Sequence, residues 1–169
     1  LYMLTGEEPD VEVARMLDVG LVLHAEHGFN ASTFAGRVTA ATLSDMFSAV
    51  TSAIGALKGP LHGGANTAVM HTLLEIGNVE GVEAYLDGQL ARREKIMGFG
   101  HRVYKVVDPR ALILRKFSER IAKITGEPRW FQMSEKMETL MKARKGIDMN
   151  VDFYAARSEE HTSELQSQA

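Results

Sequence analysis

The sequence has no cysteine and only four prolines among its 169 residues. Without thiols it can form neither a disulfide nor a thiolate zinc site. That lack fits a reducing compartment, so the cytoplasm is the expected location. No apolar run approaches the roughly 20 residues that a membrane helix needs, so no membrane partner is expected. Neither sign of charge dominates: 19 Lys and Arg stand against 22 Asp and Glu, for a net charge of −3. This gives no electrostatic reason to expect nucleic acid as a partner. Aromatic residues are scarce at 7%, and valine and isoleucine do not fall in alternating runs, so the pattern favours helix over strand throughout.

What is present points to packed helices. Apolar residues make up 45%, nine of them methionine, a composition suited to close helix contacts with adaptable gap-filling side chains. The length allows one domain with a real core or parts of two. Val11 to about Glu26 carries Ala14, Leu17 and Leu21 at helical spacing, widened by Val22 and Leu23. Helices follow over 31–41, capped by Asn30 or Ser32, and from a cap at Ser44 or Asp45 to Leu57. Others are expected over 65–76, 79–94, 109–125 and 130–145, about seven in all, so the fold class is all-α. Over 109–125 the inward stripe reads Leu112, Phe117, Ile121 and Ile124; over 130–145 it reads Met133, Met137, Leu140 and Met141.

Between Val38 and Gly59 only Asp45 and Lys58 are charged, while Met46, Phe47, Val50, Ile54 and Leu57 share one face. A helix with so little charge is buried or pressed against another chain, which makes this stretch the candidate subunit interface. The chain opens on apolar Leu1-Tyr2-Met3-Leu4 without an initiator methionine, and is expected to be part of a longer protein. The polar segment after about Ala156 resembles a translated sequencing-library adapter and is expected to be non-native.

The densest chemistry lies in Gly98-Phe99-Gly100-His101-Arg102-Val103-Tyr104-Lys105, followed by Asp108-Pro109-Arg110. Two glycines let the backbone approach a ligand, and Asp108-Pro109 reads as the N-cap and first residue of a helix with Arg110 in its opening turn. Cations and free N–H groups so gathered make an anion site, and His101 among them can move protons near neutral pH. The glycine spacing is not a dinucleotide fingerprint, since no strand precedes it. His62 stands in a second glycine-rich loop, Gly59-Pro60-Leu61-His62-Gly63-Gly64, before a helix whose N–H groups would hold it neutral, as a donor to an enolate oxygen. A loop histidine that merely caps the helix is the plain alternative. His24 and His27 are three apart on one helical face, which leaves open a metal site, a substrate-carboxylate contact or a buried pair. His71 reads as structural, and the run Arg92 to Lys95 as a solvated face. Asp152 is a lone acid in the apolar run 151–154, either a general base whose pKa burial would raise or a helix cap.

These residues together resemble the bacterial citrate synthase and 2-methylcitrate synthase family. The resemblance rests on LHAEHGFNAST at 23–33, GPLHGGAN at 59–66, KIMGFGHRVYK at 95–105 with DPRA at 108–111, and NVDFY at 150–154. It implies an all-α fold comprising part of a large domain and most of a small one. Residues 1–60 would be the C-terminal part of the large domain, with homodimer contacts through the helices of 10–58. Residues 61–156 would be the small domain with the active-site loops, and 157–169 the non-native tail. It implies an acyltransferase that condenses acetyl-CoA with oxaloacetate and hydrolyses the product to citrate, with acetyl-CoA as co-substrate and no permanently bound cofactor or metal.

By the same resemblance, Asp152 is the base that removes the methyl proton, His62 stabilises the enol and His101 binds the oxaloacetate carbonyl. His27, Asn30 and Arg110 hold oxaloacetate, while Met97, Gly98, Phe99, Gly100 and Lys105 receive coenzyme A. Two places depart from the family pattern: Asp148-Met149 stand where Tyr-Pro is usual, and Ala155 where Ser or Gly is. Propionyl-CoA as substrate and a non-catalytic helical dimerisation module are the competing readings.

Overall fold

The computed structural model describes residues 2–25, 28–59, 62–101 and 106–155. The expected Lys105 and His27 contacts and the 157–169 tail lie outside these residues. Among the described residues the helices in chain order are α1 (Tyr2–Thr5), α2 (Val11–His24), α3 (Ala31–Ala41), α4 (Met46–Leu57), α5 (Ala65–Ile76), α6 (Gly81–Ala91), α7 (Pro109–Thr125) and α8 (Arg129–Lys145). Among the described residues there is no strand, only an isolated antiparallel bridge between Phe99 and Met149. No helix is long and apolar enough to cross a membrane among those residues. The chain divides into two compact units: Leu1–Leu21 with Asn66–Ala169, and Val22–Ala65.

Local chemistry sets the helix ends. Asn30 accepts from the Thr33 N–H to start α3, and Asp45 from the Ser48 N–H to start α4. Asp108 caps α7 with Pro109 at its first position, where a missing N–H costs nothing. Gly126 and Gly146 close α7 and α8 in the left-handed conformation. α6 is shorter than the 79–94 periodicity suggests: Glu80 supplies no side-chain cap, and Arg93 turns left-handed at φ 58° just past the end.

In the larger unit, α6 and α7 both pack on α8. Leu73 of α5, Val82 and Leu86 of α6, and Met133 and Met137 of α8 are almost completely buried. α7 differs from its predicted stripe. Its buried face is Ala111, Leu114, Ser118, Ile121 and Ala122, while Leu112 and Ile124 are each 46% exposed. Ile121 lies inward as the stripe predicts, but three small residues also make the contact face, so a stripe counted on large apolar residues alone misplaces Leu112 and Ile124. α8 carries the expected Met133, Met137 and Met141 inward, with Trp130 and Ser134 beside them and Leu140 only half-buried. In α2 the inward residue is Met16, whereas Leu21 is exposed.

The smaller unit is built on α3 against α4, joined through small side chains. A Cβ placed on Gly36 would lie 3.2 Å from the Ala53 Cβ. No residue of either helix is buried. The large side chains face outward, with Met46 79%, Phe47 85% and Ile54 59% exposed.

The packing of α7 sets a clear expectation. Leu114→Ala opens a cavity and costs about 2–5 kcal/mol, whereas Leu112→Ala costs less than about 1 kcal/mol. Urea unfolding of the two variants checks this order.

Candidate functional site

The larger unit fastens two distant segments together. Gly100 N–H donates to the Asp148 carbonyl at 2.8 Å, and Asn150 N–H donates to the Gly98 carbonyl at 2.9 Å. The Asn150 side chain adds to this bridge: its Nδ2 donates to the Gly100 carbonyl at 2.9 Å, and its Oδ1 accepts the Asp152 N–H at 3.0 Å. Gly98 is required for the approach. It has φ 83°, and a Cβ there would lie 2.7 Å from Phe153 Cδ2 and 2.8 Å from Val69 Cγ2. Behind the bridge the rings of Phe99 and Phe153 pack at 4.6 Å between centroids. His101 thus leaves one side of the bridge and Asp152 the other.

Residues 151–155 form a helical turn in which Val151, Phe153, Tyr154 and Ala155 are buried and Asp152 is half-buried. The turn is tied to α8 at both ends. Asp148 takes Lys142 Nζ on both oxygens at 2.6 Å. Tyr154 Oη donates to Glu138 Oε2 at 2.8 Å, and that oxygen also accepts Arg115 Nε at 3.2 Å. Burial, then the bond and charge of Glu138, push the Tyr154 hydroxyl well above its ordinary pKa, so it remains a donor. The Asp148-Met149 departure fits this frame. The bridge uses the carbonyl of 148 and the N–H of 150, so it does not require an N–H at 149, and proline or methionine both serve there. Met149 is 2% exposed.

Asp108, fully buried, holds Arg110 from two sides. Arg110 Nε lies 3.0 Å from Oδ1 and its terminal nitrogen 2.7 Å from Oδ2, while the Arg110 N–H also donates to Oδ1. Burial alone would raise the Asp108 pKa. The Arg110 side-chain and backbone bonds, and the charges of Arg110 and His101, outweigh burial and hold the carboxyl below its ordinary value.

In the smaller unit, His62 belongs to a loop stitched to the end of α4. Its N–H donates to the Gly59 carbonyl, and the Gly63 N–H to the Leu57 carbonyl, both at 2.9 Å. A Cβ on Gly63 would fall 2.3 Å from that Leu57 oxygen, so only glycine fits. The imidazole accepts from the N-terminus of α3. The Ser32 N–H donates to His62 Nε2 at 3.2 Å, and Ser32 Oγ lies 2.9 Å from the same atom and 2.8 Å from Asn30 Oδ1. A backbone N–H can only donate, so Nε2 is the acceptor, and in the neutral ring Nδ1 carries the proton.

The predicted residues therefore fall into two groups. His101, Arg110, Asp152 and 97–100 lie in the larger unit, and Asn30 and His62 in the smaller. His24 is exposed, as is His71 in mid-α5, and Arg92 to Lys95 are all exposed. Among the described residues no group of three or more His, Cys, Asp or Glu is placed to hold a metal ion. Ser32 as the partner of His62, Asp108 as the holder of Arg110, Asn150 and the Glu138–Tyr154 pair are not evident from the sequence. Ser32 and Asn150 lie inside the recognised motifs, but Glu138 carries no sequence signal at all.

Three comparisons bear on this arrangement. The profile of the citrate synthase C-terminal domain matches residues 1–162. The chain is 57% identical over 158 residues to the citrate synthase of Deinococcus radiodurans, covering 92% of itself and 42% of that protein. It is 48% identical over 153 residues to the 2-methylcitrate synthase of Mycobacterium tuberculosis, covering 90% of itself and 39% of that protein. The citrate synthase of Thermoplasma acidophilum, solved as a ternary complex with carboxymethyl coenzyme A and oxaloacetate, superposes with a TM-score of 0.83 at 36% identity, over 93% of this chain and 42% of that one. The chain thus spans about two fifths of the length of these relatives.

The buried Asp108 gives a pH dependence of definite sign. Its folded pKa lies below the ordinary 3.8, so its contribution is complete above that value and is lost as the pH falls through the lower folded one. Asp108→Asn is therefore less stable than the parent at neutral pH, and its stability falls less steeply below about pH 4. Urea midpoints measured between pH 2.5 and 7 check both.

Proposed function

The chain belongs to the citrate synthase family, and on that premise we propose that it carries the catalytic loops of an enzyme condensing acetyl-CoA with oxaloacetate. Residues 1–60 are taken as the C-terminal part of the large domain and 61–156 as the small domain with its active-site loops. The rest of the relatives' length supplies the remainder of the site.

A thioester methyl proton is too weakly acidic for a carboxylate in water. Its removal needs a positioned base and a preorganised donor at the thioester oxygen. Asp152 takes that proton, and the C–H electron pair moves into the enol double bond while the developing oxygen charge receives the His62 Nδ1 proton as a hydrogen bond. The enol carbon then attacks the oxaloacetate carbonyl carbon, and His101 gives a proton to the former ketone oxygen. Arg110, His27 and Asn30 hold the oxaloacetate carboxylates, and 97–100 with Lys105 receive coenzyme A. Water finally cleaves the thioester, which releases coenzyme A and citrate. A single observation supports this reading most: the bridge at Phe99 and Met149 fixes the segments bearing His101 and Asp152 side by side. The acceptor role of His62 Nε2 also fits, because it frees Nδ1–H for the enol oxygen. The 2-methylcitrate synthase relative keeps propionyl-CoA as a second acyl donor. One methyl group is worth only about 1–3 kcal/mol of discrimination, and relative rates with the two thioesters decide between them.

The exposed apolar face of α4 supports homodimerisation through the helices of 10–58. Phe47→Glu with Ile54→Glu should shift the sedimenting species towards monomer, while the parent sediments as a dimer.

For catalysis, residues 1–156 are exchanged for the matching segment of the Deinococcus enzyme. The chimera should release coenzyme A from acetyl-CoA and oxaloacetate, His62→Ala should lower kcat by about 10²–10³-fold, and the 169-residue chain alone should show no turnover. An active chimera that is indifferent to His62→Ala contradicts the assignment.

A further inference from the structure

We propose that Asn150 is a positioning residue that sets the distance between the Asp152 base and the His101 acid; the proposal rests on the catalytic reading above. The side chain is engaged at both ends by backbone groups with fixed roles. A carbonyl can only accept and an N–H can only donate, so the Nδ2 faces Gly100 O and the Oδ1 faces Asp152 N, with no freedom to flip. The Gly100 carbonyl carbon is bonded directly to the His101 nitrogen, and the Asp152 N–H belongs to the base itself. One planar amide therefore spans the two chemically active segments, which lie 50 residues apart along the chain. The Asn150 backbone adds the Gly98 bond at 2.9 Å and accepts the Phe153 N–H at 3.3 Å.

Both bonds of the backbone bridge lie at or before residue 150, and beyond it the turn is held by the Phe153 N–H to the Asn150 carbonyl and by the Phe99–Phe153 ring contact. The Asn150 side chain adds a direct hold on the Asp152 N–H. Tyr154 to Glu138 ties the turn to α8, and Asp148, whose carbonyl takes the Gly100 N–H, is held to α8 by Lys142. The Asn150 side chain is a polar link between the backbone of the base and the loop of the acid, beside the Phe99–Phe153 ring contact. Proton abstraction and carbon–carbon bond formation happen at the same methyl carbon, so a small error in this spacing falls on the chemical step more than on binding.

The experiment uses the full-length chimera with Asn150→Ala, Asn150→Asp, Met149→Ala and Asp152→Asn. Readouts are kcat, the KM for oxaloacetate, the melting temperature, and the isotope effect on kcat/KM with trideuterated acetyl-CoA. Asn150→Ala should lower kcat by about 10–100-fold with KM changed less than about threefold, and should raise the isotope effect as proton removal becomes more rate-limiting. Asn150→Asp keeps the acceptor for Asp152 N–H but loses the donor to Gly100, and should move the same readouts; it stands in if Asn150→Ala does not fold. Met149→Ala, which removes buried packing and leaves the polar links, should lower the melting temperature with the isotope effect unchanged. If the Asn150 variants lower only the melting temperature, the positioning role is overturned while the catalytic reading stands. If Asp152→Asn turns over normally, the catalytic reading itself falls, and the proposal with it.

Discussion

The arrangement depends on two backbone hydrogen bonds between 98–100 and 148–150. They form because Gly98 can take a positive φ and pass within contact distance of Phe153 and Val69, an approach no side chain permits. The segments that carry His101 and Asp152 both hang from that point. His101 follows one strand of the bridge, Asp152 follows the other, and the aromatic pair behind it closes the core. A net hydrogen bond contributes only about 1 kcal/mol, so the bridge does not hold the fold by strength. It fixes register, and the buried methionines and leucines of α5 to α8 hold the frame around it.

The polar groups around the bridge show how a largely apolar core holds charge in place. Asp108 is buried yet charged because Arg110 answers both of its oxygens, the condition under which a buried carboxylate is tolerable. Glu138 takes a phenol and a guanidinium together. The smaller unit follows the same logic with a helix terminus: the Ser32 N–H, otherwise an orphan of the first turn of α3, finds its acceptor in His62. A backbone donor thereby decides which imidazole nitrogen carries the proton.

Much of this was legible in the sequence. The caps at Asn30, Asp45 and Asp108-Pro109 and the glycine stops were readable because capping is local chemistry. The helix spans followed from periodicity, and the glycine-rich loops marked where backbone must come close. What escaped was non-local or small. In α7 the sequence places Ile121 inward but not Ala111, Ser118 and Ala122, the small residues that share its contact face. The partner of His62 comes from Ser32, 30 residues upstream. Asn150 was visible inside a motif, but its bond to Gly100 spans 50 residues and leaves no periodic trace.

Amide hydrogen exchange on the 169-residue chain tests the central claim most directly. If the bridge holds His101 and Asp152 in register, the N–H groups of Gly100 and Asn150 exchange far more slowly than the loop amides around them, with protection approaching that of the core of α8. Exchange of both amides at the rate of an open loop would contradict the account.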